Sequence, residues 1–307
     1  MPSPGLNGRR VLVTGASGFI GRHVVLRLSE NSDATLRLLI RGSAGDLLEA
    51  TRGRSELVRG DLADDACLVG LCSGVDVVIH CAAVMPGQPG APPSPVDYRR
   101  INLEVTLKLA TRAAMTGTKR FIFVSSTTAM GAPVAQVVDE LTPCRPSSQY
   151  GITKRLAEEG LLELAAKTGL EVVIVRPCIV AGRDQRGGPL LKLFQQCRRG
   201  IFPAFGGRLD VQKPLVDVGD VAWALSVAAV RGIPGEIYLV TSGERHTLCE
   251  ILEVAGRLTG NPRPYVTIPL PLARIAALAT APLARLLGRD PPLSQERLDL
   301  SLVMSQR

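Results

Sequence analysis

The sequence predicts a doubly wound parallel α/β sheet with a smaller C-terminal cap, on three observations. Short runs that are apolar throughout recur up to Arg176, and segments of helical spacing separate them. The first run leads directly into a glycine-rich turn, and beyond Arg176 the alternation weakens into Pro/Gly-rich connections. A strand that is apolar at every position is buried on both faces. That is the condition of a parallel sheet covered by helices, and regular alternation with helices gives the doubly wound plan.

The elements follow in order. Residues 10–14 form the first strand, and residues 19–29 a helix with Ile20, Val24, Val25 and Leu28 on one side. Residues 35–40, 57–59 and 75–80 are the second, third and fourth strands. Residues 98–116 make a helix striped by Leu103, Leu107, Ala110 and Ala114. Residues 120–125 form the fifth strand, 150–168 a helix and 170–175 the sixth strand. Farther on, 218–230 reads as a helix, 236–240 as a strand and 247–259 as a second helical region. Residues 266–287 are apolar but interrupted by Arg274, Arg285 and prolines. A membrane span needs about 20 nearly uninterrupted apolar residues, so this stretch is expected to be amphipathic cover for a pocket or a partner subunit. The loop 84–97 holds five prolines and follows the carboxyl end of a strand, where open α/β sheets place ligands.

Composition narrows the function classes. Lys plus Arg total 36 against 28 Asp plus Glu, a net +8, but the excess is scattered in pairs such as Arg9-Arg10 and Arg198-Arg199. Without a basic block, nucleic acid is not an expected partner. Seven cysteines, an odd number without CxxC spacing, and three histidines give no metal-site pattern. They are expected to be small core residues of a protein kept in a reducing cytoplasm, and residues 1–10 contain no apolar signal core.

Two motifs carry chemistry. Thr14 to Gly21 reads TGASGFIG, with Gly15, Gly18 and Gly21 in a turn between strand and helix and Phe19 and Ile20 opening the helix. Glycines there allow a tight turn and close backbone approach to a pyrophosphate, and the helix N-terminus offers free N–H groups with partial positive charge. Tyr150 and Lys154 lie at i and i+4, on one helix face. A nearby cation lowers the pKa of a phenol. Ser125 and Ser126 end the fifth strand, and Tyr150 follows Ser126 by 24 residues, so a hydroxyl and a Tyr/Lys helix are expected over one cleft. Neither serine has the acidic–His company of a hydrolase triad, and no GxSxG elbow is present.

These motifs stand among others in a fixed order: GDL at 60–62, HCAA at 80–83, Asn102 in INLEVT, FVSST at 123–127, YGITK at 150–154, RPCIVAG at 176–182 and VGDVA at 218–222. Taken together, the chain resembles the extended short-chain dehydrogenase/reductase superfamily, in its NAD-dependent epimerase/dehydratase branch. The resemblance implies a Rossmann-type domain over residues 1–175, completed by about 214–240, and a substrate-binding cap from 176–213 and 241–307. It implies that Gly15, Gly18 and Gly21 pass the pyrophosphate, that Asp61 and Leu62 flank the adenine, and that Ala82 and Ala83 lie along the ribose. By the same resemblance Ser126 binds the reacting oxygen and Tyr150 is the acid/base. Lys154 binds the nicotinamide ribose and lowers the Tyr150 pKa, and Pro177 contacts the nicotinamide end. Asn102 reads as a structural tie. The second strand ends in Leu39-Ile40-Arg41 with no acidic residue for the ribose hydroxyls. Arg41 could face a 2′-phosphate, so NADP is favoured over NAD.

The sequence departs from the nucleotide-sugar pattern at two positions, Ile179 where an Asn is usual and Lys213 where an Arg is usual; a lysine keeps the charge and loses the bidentate fork. Hydride transfer between cofactor and a secondary alcohol or ketone is expected. The alternatives are epimerisation of a nucleotide sugar, a ketoreductase or dehydrogenase acting on a steroid-, flavonoid- or polyketide-like substrate, and a non-catalytic cofactor-binding regulator. The resemblance also implies a cytoplasmic homodimer acting on a small molecule, without a membrane span.

Overall fold

The computed structural model describes residues 4–45, 47–51, 53–87, 92–131, 138–207 and 209–286. After a 3-10 turn at Pro4–Leu6 come β1 (Arg10–Thr14), α1 (Phe19–Asn31), β2 (Thr35–Ile40), α2 (Leu47–Ala50), β3 (Ser55–Arg59), α3 (Asp65–Leu68) and β4 (Val77–His80). A helical run follows, in which α4 (Pro95–Asp97) passes through a π-helical stretch at Tyr98–Val105 into α5 (Thr106–Met115). Then come β5 (Arg120–Val124), a 3-10 turn at Thr127–Met130, α6 (Gln149–Thr168), β6 (Glu171–Pro177), β7 (Ile179–Ala181), α7 (Pro189–Arg199) and β8 (Phe202–Phe205). The rest is β9 (Gln212–Lys213), β10 (Leu215–Asp217), α8 (Val218–Arg231), β11 (Ile237–Val240), β12 (His246–Thr247), α9 (Leu248–Thr259), β13 (Tyr265–Ile268) and α10 (Leu270–Leu286).

Seven of these strands form one parallel sheet in the order β11-β6-β5-β4-β1-β2-β3. The sequence winds one way from β1 to β3 and then returns to place β4 on the other side of β1, so the switch point lies between β1 and β4. The fold is the Rossmann-like doubly wound α/β sheet that the alternating apolar runs predict. The alternation of side chains along each strand divides the core into two layers. Val11, Val13, Ile122, Val124, Val173 and Val175 pack with α1 and α8. Leu12, Phe121, Phe123, Val172 and Ile174 pack with α5 and α6 on the opposite face.

Two buried strand positions carry a guanidinium, Arg37 in β2 and Arg176 in β6. Arg37 in β2 pairs with Glu56 (Nε–Oε2 2.9 Å) and donates to the carbonyls of Leu71 and Ser73 at 2.8 and 2.9 Å. A buried guanidinium is tolerable when its donors are satisfied in this way.

Several boundaries differ from the sequence expectation for local reasons. The fourth strand starts at Val77 rather than 75, because Val75 N–H closes a turn onto the Cys72 carbonyl. The third starts earlier, at Ser55, where pairing with Leu36 begins. The expected helix 98–116 is present but is π-helical over its first eight residues. Residues 266–287 divide into β13 and α10, with residue 287 outside the described part. Ala273 and Ala277 of α10 pack on Phe205 and Ile268 of the β8–β13 ladder, while Leu272, Ile275 and Leu278 stay exposed. Part of the proline-rich loop, residues 88–91, likewise lies outside the described residues; its end is fixed by a capping box between Ser94 and Asp97. The cysteines are free; Cys72, Cys178 and Cys197 are buried, and Cys67, Cys81, Cys144 and Cys249 half-buried.

Candidate active site

A parallel sheet delivers every loop that follows a strand to the same edge. Gly15 follows β1, Arg41 follows β2, Asp61 and Leu62 follow β3, Ala82 and Ala83 follow β4, Ser126 follows β5 and Pro177 ends β6. These residues therefore line up along the carboxyl edge, with Gly15 and Ala82 on the two sides of the switch point. Ligands of open α/β sheets bind in that crevice.

The turn at Gly15 can be made only by glycine. Its φ of +66° is left-handed, and a Cβ there would sit 2.8 Å from the Ala82 backbone nitrogen. A Cβ at Gly21 would collide with the Gly15 carbonyl oxygen. Helix α1 starts at Gly18 without a side-chain cap and without an acidic residue in its first turn. By contrast Ser148, Asp217 and Thr247 cap α6, α8 and α9 with side-chain oxygens. An uncapped N-terminus at the switch point, with no acidic residue in its own first turn, fits a pyrophosphate. Asp61 accepts from the Ala63 N–H at 2.9 Å and Leu62 is buried, while Arg41 is exposed.

Beneath the segment 80–84 lies a hydrogen-bond chain that sequence reasoning missed. Thr106 Oγ1 donates its single proton to the Asn102 carbonyl at 3.0 Å, so it accepts from His80 Nε2 at 2.9 Å. His80 Nδ1 then accepts from Thr14 Oγ1 at 2.7 Å. Burial lowers the His80 pKa to about 3, so the ring stays neutral in this tautomer at physiological pH. The Asn102 carboxamide accepts from Val84 N–H at 2.8 Å and donates to its carbonyl at 2.9 Å, the structural tie anticipated for it. A histidine at a strand end flanked by threonines in neighbouring elements was the available signal.

Tyr150 and Lys154 sit in the first turns of α6, both buried. Gly151 makes the approach possible, since a Cβ there would strike the Thr128 carbonyl. The Tyr150 phenol is hydrogen-bonded with Ser126, which also caps the 3-10 turn by accepting from Thr128 N–H at 3.1 Å. Tyr98 of the π-helical stretch meets the Tyr150 ring edge-on at 6.2 Å. Burial pushes the phenol well above its ordinary pKa; the Ser126 hydrogen bond opposes this and Tyr98 adds to it.

The Lys154 ammonium finds partners in the strand beneath the helix. The ammonium donates to the Val124 carbonyl at 2.7 Å and lies 4.4 Å from the Phe123 ring centroid. Its pKa falls to about 8 through burial, with Glu158 and Cys81 pulling in the opposite direction. The physical reason is that β5 presents a carbonyl and an aromatic face directly beneath the helix, and the ammonium satisfies itself there.

One turn farther along α6, Glu158 forms a fully buried bidentate pair with Arg176 of β6, at 2.8 and 2.6 Å, and accepts from Ser125 Oγ at 2.5 Å. This pair joins the helix that carries Tyr150 to the strand that ends at Pro177. Glu158, at i+4 from Lys154, could have been found by extending the helix face by one turn.

Past Pro177 the chain opens a cavity of about 320 Å³. Ile179 and Leu215 from paired β7 and β10 line it, with Leu193 of α7, Phe202 and Phe205 of β8, and Ile251 of α9. Among the described residues there is no cluster that could hold a metal, and no helix long and apolar enough to cross a membrane.

Known proteins agree with this architecture. A family model described as "NAD dependent epimerase/dehydratase family" matches residues 11–241. The chain is 32% identical to sterol demethylase protein B of Methylococcus capsulatus, over 89% of this chain and 82% of that protein. It is 29% identical to a UDP-glucose 4-epimerase of Vibrio cholerae, over 86% of this chain and 79% of the relative. The solved structure of MoeE5 in complex with UDP-glucuronic acid and NAD superposes with a TM-score of 0.69 at 29% identity, covering 85% of each chain. The glycine turn at the switch point, the Tyr150–Lys154 helix and the match over residues 11–241 lead to one conclusion: the chain is an NAD-dependent enzyme and belongs to the NAD dependent epimerase/dehydratase family.

Proposed function

We propose that this enzyme interconverts a secondary alcohol and its ketone on an apolar substrate, with a nicotinamide cofactor that exchanges between turnovers. The observation that carries the reading is the apolar wall of the cavity that begins two residues beyond Pro177. The relative named for sterol demethylation supports it.

The residues fit a cofactor held along the carboxyl edge. Gly15, Gly18, Phe19, Ile20 and Gly21 would take the pyrophosphate, Asp61 and Leu62 the adenine, Ala82 and Ala83 the ribose, and Lys154 and Pro177 the nicotinamide end. When bound, the cofactor supplies or accepts the hydride. Tyr150 keeps its proton across neutral pH, since burial raises its pKa, and in that state it donates to a carbonyl oxygen. Ser126 holds that oxygen beside the phenol. Lys154 would contact the nicotinamide ribose, and its ammonium, one helical turn from Tyr150, would favour the phenolate needed for the reverse reaction.

NADP is the preferred cofactor in this reading. Arg41 follows β2, and Arg59, at the end of β3, donates to the Gly42 carbonyl at 2.7 Å, so two exposed guanidinium groups flank the turn where an acidic residue would select NAD. Residues 1–175 with about 214–240 act as the cofactor domain, and 176–213 with 241–307 as the substrate cap. The enzyme works in the cytoplasm as a homodimer paired through the helices at 98–115 and 149–168.

A second reading is 4-epimerisation of a nucleotide sugar, favoured by the UDP-glucose 4-epimerase relative. The test is to incubate the purified enzyme with NADPH or NADH and a panel of apolar ketones and, separately, with UDP-glucose. Ketone-dependent oxidation of the reduced cofactor is expected. Inversion of UDP-glucose without net redox change, and with inert ketones, would overturn the proposal.

A further inference from the structure

Lys213 closes β9, where it is held antiparallel to His246 of β12, and it lines the apolar cavity. Among the described residues of that lining, Gln196 is the other polar side chain. The Lys213 ammonium makes no hydrogen bond or ion pair with any described residue, and burial lowers its pKa. Three buried cations among the described residues do have acceptors: Lys154 has the Val124 carbonyl, Arg176 has Glu158, and Arg37 has Glu56 and two backbone carbonyls. Lys213 is half-buried, so a ligand that fills the cavity strips water from its ammonium, which costs free energy unless the ligand brings a counter-charge.

We propose that the cavity binds an apolar molecule bearing a single carboxylate, which pairs with Lys213 while the hydrocarbon body fills the space between Leu193, Phe202, Phe205 and Ile251. The charge balance selects this class. A carboxylate neutralises one ammonium, and the Gln196 carboxamide can serve its second oxygen. A nucleoside diphosphate brings two negative charges and many acceptor oxygens, and this lining offers one lysine and one carboxamide to meet them. A neutral apolar molecule seated there would cover the half-exposed ammonium and bring it no counter-charge. The inference rests on the apolar-substrate reading above, and it adds the anion that orients such a substrate.

The test uses a fluorescent dansylated undecanoate, its methyl ester and UDP, each titrated into the full-length protein. The ester keeps the shape and removes the charge. The acid is expected to bind about tenfold or more tightly than the ester, the worth of one charge-assisted hydrogen bond. Lys213→Met should bring acid and ester to equal affinity without weakening the ester, and Lys213→Arg should keep the preference for the acid. Equal binding of acid and ester by the unmodified protein, or an acid preference that survives in Lys213→Met, overturns the Lys213 assignment and leaves the apolar reading standing. Binding of UDP with neither dansyl probe retained overturns both.

Discussion

Replacing Lys154 by methionine should change the pH dependence of stability in a way that isolates the buried ammonium. In the folded chain burial pulls this lysine to about 8, against an ordinary value of about 10.4. The folded state therefore holds the proton less tightly than the unfolded state. Between about pH 8 and 10.5 the unfolded chain carries more protons, so stability rises with pH across that window. Below pH 8 the group is charged in both states and the cost of burying it is present in full. One pKa unit is worth about 1.4 kcal/mol, so moving from pH 10 to pH 7 should cost the unmodified protein about 2–3 kcal/mol that the methionine variant does not lose. The lost hydrogen bond to Val124 and any change in packing are nearly independent of pH and cancel in that difference. Urea unfolding of both proteins at pH 7 and pH 10, without cofactor, measures it directly. Parallel pH dependences for the two would refute the reasoning and place the ammonium in contact with water.

Four further outcomes are expected. Tyr150→Phe removes only the hydroxyl that meets Ser126, so turnover should fall by about 10²–10⁴ while calorimetric cofactor affinity stays nearly constant; near-full turnover would dismiss Tyr150 as the acid. Glu158→Gln leaves Arg176 charged and only partly matched in a fully buried site, and should cost up to about 3–5 kcal/mol in urea unfolding; the double change Glu158→Leu with Arg176→Met should be milder than the single one. Arg41→Asp should flatten or reverse a preference for NADPH over NADH seen in calorimetric titration, and equal affinities in the unmodified protein would end the NADP reading. Light scattering should give a dimer, and a monomer throughout the micromolar range would contradict pairing through the helices at 98–115 and 149–168.

The sheet was legible because burial on two faces leaves a continuous apolar signature, as in Val77–His80 or Phe121–Val124. The positions of Gly15, Ser126 and Tyr150 along the carboxyl edge follow from the same alternation. The ladders β8–β13, β9–β12 and β7–β10 were not legible. They are two to four residues long, too short to show a period, and β8 contains Pro203. Nor could spacing reveal what Lys154 touches. The i,i+4 relation to Tyr150 places both on one helix face, but a lysine stem reaches several partners, and the Val124 carbonyl and Phe123 ring belong to a strand 30 residues earlier. Arg37 shows the same limit, since its partners come from β3 and from the turn at 70–73, and a strand of TLRLLI reads as apolar. The π-helical stretch has no sequence signature; only the structure shows Tyr98 and Asn102 turned to Tyr150 and Val84.

The strand order has a consequence for how the chain is made. The half of the sheet formed by β4, β5 and β6 takes one of its two covers from α8, and its outer edge from β11. A nascent chain that has just released β6 at Pro177 thus exposes a bare apolar face and an unpaired strand edge until residue 240 has left the ribosome. At about 5–20 residues per second this interval lasts seconds, long compared with collapse of the finished part. The N-terminal strands β1 to β3, with α1, have no such wait among themselves. Synthesis is therefore expected to pass through a half-sheltered sheet, and a chaperone that engages the nascent chain would find its target between those two points.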